Sequence, residues 1–323
     1  MSKKVVAVRP YIYKNNSNFK LPLYDEWIKC GGKGTGNRCF ERCYMSLSYH
    51  LDLPTLWQSE HEARLRFVEG AGVRFETFPD YLTHEVIPII WDCWPSYWPT
   101  MESWFQKHKV KTAFFTSSET ANHFREVFPN TNIYHLPEAI ETNLYKKGKS
   151  LNERSIDFLK FGRVCNFIDT GLLDKSLKLI ESRNENGVLH TRQDLINALA
   201  DSKITIAMPR CDNQPEIAQG IETLTQRFWE CMLSRVVMLG RAPKELIDII
   251  GYDPCINIWE ATRLSNGKFA PDGMTRQIEY VIAHIEDYQD LVDKNRKAAL
   301  EYGDWKLRIQ QVIECLQECG YDV

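Results

Sequence analysis

Short β-branched runs alternate with amphipathic runs along most of the chain, and this alternation constrains the fold more than any other feature. Hydrophobic periods of two residues mark strands and periods of 3.6 mark helices. Strand, helix, strand in succession closes as a parallel sheet with crossover helices. Strands are expected at Val5–Val8, Val86–Trp91, Thr112–Thr116, Ile133–Leu136, Phe161–Asn166, Ile204–Met208, Val236–Leu239 and Cys255–Ile258. Helices are expected at Asn37–His50, Met101–Lys107, Glu119–Phe128, Leu172–Glu181, Arg192–Ala200, Leu224–Leu233 and Pro243–Ile250. Ser117 and Thr191 stand where helix N-caps belong. Beyond residue 274 the pattern is helical through Gly320, enough for two or three helices.

At 323 residues the chain is longer than one hydrophobic core usually organises. Glu141 to Arg154 is polar and charged and reads as an interdomain linker. The expected organisation is a domain at 1–145, a second at 146–274, and a helical segment at 275–323 that packs back on the first. Six of the nine tryptophans and six of the eight histidines precede the linker, so the first lobe reads as an aromatic-rich, partner-binding unit. Two doubly wound α/β lobes facing across a cleft would bind ligands at the carboxyl ends of their strands. The loops after Gly162 and Met208 are then expected to point into that cleft.

A formal charge of −3 exerts no general pull on nucleic acid or anionic membrane. No apolar run approaches the roughly 18 residues that span a bilayer. The N-terminal Val-Val-Ala-Val run ahead of Arg9 and Pro10 reads as a first strand and not as a signal peptide. Ten cysteines without a CxxC motif are expected to be reduced thiols of a cytoplasmic protein. The i,i+4 pairs Cys39/Cys43 and Cys315/Cys319 have no second half to complete a metal site.

The segment Glu222-Thr-Leu-Thr-Gln-Arg-Phe-Trp-Glu230 places two glutamates eight positions apart where an amphipathic run begins. Eight residues turn a helix by about 800°, two turns and a fraction, so both carboxylates share one flank. If Glu222 lies in the loop before the first turn, both carboxylates and the amides of Thr223 and Leu224 converge. That combination suits a ligand with hydroxyls and phosphates, because carboxylates accept from hydroxyls and helix N-termini attract anions.

Ser202-Lys-Ile-Thr-Ile-Ala-Met-Pro-Arg210 precedes this segment, and Val236-Val-Met-Leu-Gly240 follows it. The succession resembles the donor-binding half of GT-B glycosyltransferases of the group-1, family-4-like type, whose hallmark is a Glu-x7-Glu motif after a strand ending in Pro-Ser. Here Pro209 stands at that proline and Arg210 at the serine. Gly220 to Glu230, followed by Ala242-Pro-Lys-Glu-Leu-Ile-Asp248, is similar to the spore-maturation-protein-like branch. The likeness covers roughly residues 157–260 well and the first lobe in outline.

The resemblance implies a GT-B fold of two Rossmann-like domains. It implies that Glu230 holds the ribose hydroxyls of a UDP- or GDP-sugar and Glu222 the hydroxyls of the transferred sugar. Thr223 and Leu224 amides would meet the diphosphate, with Arg210 beside them. Gly162-Arg163 matches a Gly-Arg of the family: the glycine admits the ligand to the backbone, and Arg163 neutralises the diphosphate. Lys175 or Lys178 would be the lysine that supports it. The turn Leu189-His190-Thr191-Arg192 would read the base. Where the family has Pro-Phe-Gly after the first glutamate, this chain has Thr223-Leu224-Thr225.

In the first lobe, Gly34-Thr-Gly36-Asn37-Arg38 lies in a glycine-rich loop that fits neither the dinucleotide fingerprint nor a P-loop. Gly34, Gly36, Asn37 and Arg38 are candidates to close on donor phosphates. Trp91-Asp92-Cys93-Trp94 to Trp98 follows a buried strand, so Asp92 is a candidate to orient an acceptor hydroxyl or take its proton, and the indoles to stack on a sugar or base. His84 and Glu85 stand at that strand's other end, while His135 to Glu138 ends a neighbouring one.

The activity expected is retaining, metal-independent sugar transfer from a nucleotide-sugar to a hydroxyl acceptor, a saccharide or a modified DNA base, with no other cofactor required. A sugar-nucleotide epimerase of the same fold would turn over donor alone. A catalytically silent subunit would bind nucleotide without turnover. Residues 1–140 carry 16 Lys and Arg against 15 Asp and Glu, no overall excess for tracking DNA phosphates, although Lys107, Lys109 and Lys111 form a local cluster.

Overall fold

The computed structural model describes residues 2–10, 19–36, 53–162, 170–182, 189, 191–257 and 271–323. These divide into two compact units. One comprises Met1–Glu138, Glu216–Thr223 and Trp305–Val323; the other comprises Ala139–Pro215 and Leu224–Asp304. The expected helix Asn37–His50 and the cysteines Cys39 and Cys43 lie outside the described residues, as do Asn37, Arg38, Arg163 and His190.

The first unit holds a parallel six-stranded sheet in the order β2-β1-β3-β4-β5-β6. Its strands are β1 (Lys4–Val8), β2 (Lys33–Thr35), β3 (Glu62–Glu69), β4 (Glu85–Trp91), β5 (Thr112–Phe115) and β6 (Asn132–His135). Every residue of β4 is buried, as a central strand covered on both faces requires. Helices α1 (Lys20–Lys29), α2 (Trp98–His108) and α3 (Ser118–Val127) cover the sheet. Ser117 caps α3 by accepting from the Thr120 amide.

β3 is a central strand absent from the expected set, and its sequence explains why. Arg64 and Arg66 lie within it and are only 8% and 6% exposed. Asp80, from a turn ahead of β4, is 2% exposed and pairs with both guanidiniums. Arg66 also donates to the Phe78 carbonyl at 3.4 Å, and Arg64 to Glu62 at 2.9 Å. A strand that buries charges through a partner outside itself does not read as apolar.

The second unit holds a parallel four-stranded sheet in the order β10-β9-β7-β8, with β7 (Ile156–Lys160), β8 (Leu179–Glu181), β9 (Ser202–Ala207) and β10 (Val237–Gly240). β7 ends one residue before the strand expected at Phe161–Asn166, of which only Phe161 and Gly162 are among the described residues. The helix expected at Leu172–Glu181 is a turn followed by β8. Asp174 accepts from the Ser176 amide at 2.8 Å, a local bond, and Asp157 of the neighbouring strand β7 accepts from the Lys178 amide at 2.9 Å. One local and one cross-strand carboxylate thus divert this stretch from helix. The strand expected at Cys255–Ile258 is represented by one bridge, Leu239 to Ile256.

Helices α4 (Arg192–Ala200), α5 (Gln226–Leu233), α6 (Lys244–Ile250), α7 (Pro271–Ala283) and α8 (Gln289–Tyr302) belong to the second unit, and α9 (Trp305–Glu318) to the first. A capping box of Thr191 and Asp194 starts α4. α5 buries Phe228, Trp229, Cys231, Met232 and Leu233, leaving Gln226, Arg227 and Glu230 on its polar side. The expected linker is no solvated tether: Tyr145, Leu151 and Arg154 are each 3% exposed or less. The Arg154 guanidinium donates to the carbonyls of Lys149, Ser202 and Ser234.

Candidate functional site

The strand order of the second unit reverses between β7 and β9, and open parallel sheets bind ligands at the carboxyl ends flanking such a reversal. Phe161-Gly162 leaves β7 there, and Met208-Pro209-Arg210 leaves β9. Thr225, extended at φ −116°, is the N-cap of α5, so Glu222 lies in the loop and Glu230 in the second turn. Of the two sequence alternatives for the glutamate pair, the loop placement is the one observed.

Glu230 is half-buried. The Tyr145 hydroxyl donates to its Oε1 at 2.8 Å. Arg192, from the turn expected to read a base, donates to Glu141 at 3.0 Å. Burial raises the Glu230 pKa; the Tyr145 hydrogen bond and the charges of Arg227 and Arg192 pull it down. Burial, then the neighbouring Glu230 charge, raises the Tyr145 pKa, so the phenol stays protonated and donates.

Gly162 has φ +79°, the left-handed region that glycine enters without strain. Its missing side chain has a specific use. A Cβ at this position would meet Arg227 Nη2 at 1.9 Å and Cζ at 2.8 Å. The same guanidinium lies over the Phe161 ring, 5.3 Å from its centroid. Gly162 therefore seats Arg227, a residue the sequence did not single out.

Three expectations for this unit change. The Leu224 amide donates to the buried Glu245 carboxylate at 2.9 Å and is committed there, so the first-turn amides are those of Gln226 and Arg227. Lys175 lies in the turn leading to the amino end of β8, opposite the carboxyl-end site. Lys178 reaches Ser155 at that same end, 3.2 Å away. Arg210 does lie at the carboxyl end of β9, where its Nε donates to Gln214 at 3.1 Å.

In the first unit, Asp92 follows β4 with φ +48°, an unusual conformation for a residue bearing a side chain. It lines a small pocket with Thr116, Ser117, Thr120, Glu138 and Thr223. Two expected site residues far apart in sequence, Asp92 and Thr223, thus line one pocket. The Glu222 amide donates to Glu119 at 2.5 Å, and its carbonyl accepts from Ser117 at 3.5 Å. Of the expected aromatic platform, Trp91 is core at 1% exposure, Trp94 lines the same pocket as Asp92, and the partly buried Trp98 stacks on His123 at 3.8 Å.

Gly34 is also explained by packing. A Cβ there would meet the Tyr24 hydroxyl at 2.4 Å and Ile28 Cδ1 at 2.6 Å, so the glycine lets β2 lie against α1. Gly36 meets no such neighbour. Burial, with Arg308 and Arg125 adding to it, pushes His135 down to about 4, so it is neutral at pH 7. Glu85 is held by Lys3 at 2.8 Å and by Tyr321, and His84 bonds Thr83 at 2.8 Å. Both lie away from Asp92. Among the described residues, no group of three or more His, Cys, Asp or Glu side chains is placed to hold a metal, and no helix is long and apolar enough to cross a membrane.

No protein-family profile and no curated protein matches the chain in sequence. Solved structures do match its fold. It is similar to HepE of Anabaena solved with UDP-glucose, at 9% identity and a TM-score of 0.59, over 98% of this chain and 99% of that one. It is similar to sucrose-phosphate synthase of Thermosynechococcus elongatus, at 8% identity and 0.60, over 98% and 99%. A third is an α-glucosyltransferase solved with UDP and a 13-mer DNA containing an HMU base, at 10% identity and 0.53, over 98% and 100%. The class these likenesses define is one of fold: two Rossmann-like parallel-sheet domains with C-terminal helices, the GT-B architecture.

Proposed function

We propose that the chain is a nucleotide-sugar-dependent glycosyltransferase whose donor site lies at the carboxyl ends of β7 and β9. The observation that carries this is Glu230, a half-buried carboxylate in the second turn of α5, fixed by the Tyr145 hydroxyl at the end of the sheet where its order reverses. A carboxylate so held accepts from the two vicinal hydroxyls of a ribose. HepE was solved with UDP-glucose and the α-glucosyltransferase with UDP, which favours UDP over GDP as the donor nucleotide.

In the proposed reaction the anomeric C–O bond of the donor breaks and its electron pair goes to the diphosphate. The acceptor oxygen bonds the anomeric carbon on the same face, and its proton passes to the departing diphosphate oxygen. Arg163 and the first-turn amides of α5 take up that charge, which makes the transfer metal-independent. Glu222 grips sugar hydroxyls. Asp92 orients the acceptor hydroxyl in the pocket of the first unit. We assign a retaining outcome and no enzymic nucleophile. Lys107, Lys109 and Lys111 lead into the amino end of β5, and Asp92 follows the carboxyl end of the adjacent parallel strand β4. This placement lends no support to a DNA acceptor.

The test is UDP release from UDP-glucose in the presence of a panel of saccharide acceptors. Acceptor-dependent release supports transfer. Conversion of donor without acceptor would replace it with epimerisation, and tight UDP binding without turnover would replace it with a silent binding subunit.

Tyr145→Phe keeps the ring and removes only the hydroxyl, so UDP affinity at pH 7.5 is expected to fall about three- to tenfold. Ribose binding needs ionised Glu230, whose pKa burial raises; affinity should therefore fall as pH drops, at a higher pH than an ordinary glutamate would give. The Tyr145 hydrogen bond lowers that pKa, so its loss should move the midpoint further up. Calorimetric titrations across pH 5–8 read both effects, and an unmoved midpoint in Tyr145→Phe would detach Tyr145 from the site.

A further inference from the structure

Arg227 precedes Glu230 by three residues, so both side chains leave the same face of α5 about one turn apart. The guanidinium occupies the space a side chain at position 162 would need, and it rests on the Phe161 ring. Two neighbours of different kinds, a left-handed glycine and an aromatic face, thus shape the seat of one cation where β7 ends. Arg227 is half-exposed, with its charge close enough to pull down the Glu230 pKa.

We propose that Arg227, seated by Gly162 and Phe161, is a phosphate-binding residue of the donor site. One turn of α5 then carries both recognition chemistries: a carboxylate for the ribose hydroxyls and a guanidinium for the diphosphate. Side chains at i and i+3 start roughly 5–6 Å apart, a span that suits groups on adjoining parts of one nucleotide. The planar fork of arginine pairs with two phosphate oxygens, which the point charge of lysine does not do. Gly162 in this assignment serves the cation, not a close approach of ligand to the backbone. The assignment rests on the donor-site proposal above, and the two are separated by comparing nucleotide with nucleoside.

The experiment titrates wild-type chain, Arg227→Ala, Arg227→Lys and Gly162→Ala with UDP and GDP, and with uridine and guanosine as their phosphate-free counterparts. Thermal melts of each variant establish that it is folded. Arg227→Ala is expected to lose roughly ten- to hundredfold in affinity for the diphosphate and less than about twofold for the nucleoside. Arg227→Lys should recover part of the loss, with a steeper weakening by salt. Gly162→Ala, which displaces the guanidinium while leaving it in the chain, should weaken the diphosphate more than the nucleoside. Equal diphosphate affinity in wild type and a folded Arg227→Ala would overturn the assignment while leaving the donor site standing. Equal losses for nucleotide and nucleoside would also overturn it, marking Arg227 as packing. If wild type binds neither nucleotide nor nucleoside, the donor-site proposal falls, and the role of Arg227 with it.

Discussion

Glu230→Ala is expected to weaken UDP binding by about 2–4 kcal/mol, roughly 30- to 1,000-fold, while the chain stays folded. The size follows from what the carboxylate does in the proposed site. It accepts from two ribose hydroxyls, and hydrogen bonds to an ionised group contribute more than neutral ones. The truncation also leaves the Tyr145 hydroxyl, on a residue only 3% exposed, without its carboxylate partner. Glu222→Ala, placed on the sugar end, is expected to lower turnover or sugar discrimination with much less effect on UDP affinity. Calorimetry with UDP and UDP-glucose separates the two. Equal losses tracking a common fall in melting temperature would mark both glutamates as structural.

Asp80→Ala is expected to destabilise the six-stranded unit by about 3–5 kcal/mol. Asp80 is almost wholly buried and pairs with two guanidiniums of a central strand. Truncation takes the carboxylate from the buried Arg66 guanidinium and loosens Arg64, which keeps Glu62 at 2.9 Å, whereas Asp80→Asn keeps a hydrogen-bond acceptor and should cost less. Hydrogen exchange locates the effect: amides of Glu62–Glu69 should lose protection, and those of Ile156–Lys160 in the other sheet should keep it. Unchanged exchange in β3 would show that Arg64 and Arg66 are satisfied without Asp80.

Those arginines also show where sequence legibility ended. β4 is readable because each of its residues is apolar or lies at an end, α3 and α4 because caps and periodicity agree, and α5 through its amphipathic periodicity alone. β3 hides behind Arg64 and Arg66, whose partner is distant in the chain. β7 is hidden because Asp157 and Lys160 interrupt its apolar run, while Phe161 and the residues after it look more strand-like. The stretch from Leu172 to Glu181 has helical spacing of leucines, overridden by Asp174 accepting from the Ser176 amide and by β7, whose Asp157 accepts from the Lys178 amide.

The site divides in the same way. That a carboxylate follows β9 on the next long helix was legible from the strand–loop–helix order. Its support was not, because Tyr145 comes from a segment whose charge resembles a solvated linker. Nothing in the Glu-x7-Glu spacing singles out Arg227, and only the backbone turn at Gly162 reveals the space its guanidinium fills. Gly34 misled in the opposite sense: a glycine-rich run reads as a phosphate loop, yet its lack of a side chain is needed for Tyr24 and Ile28.

The most direct test of the donor site is calorimetric titration of the wild-type chain with UDP, GDP, UDP-glucose and AMP at pH 7.5, alongside Glu230→Ala. Saturable one-to-one binding of a nucleoside diphosphate, tighter than AMP and reduced at least thirtyfold by Glu230→Ala, is expected. Absence of binding by every nucleoside diphosphate, or equal binding by a folded Glu230→Ala variant, would contradict it.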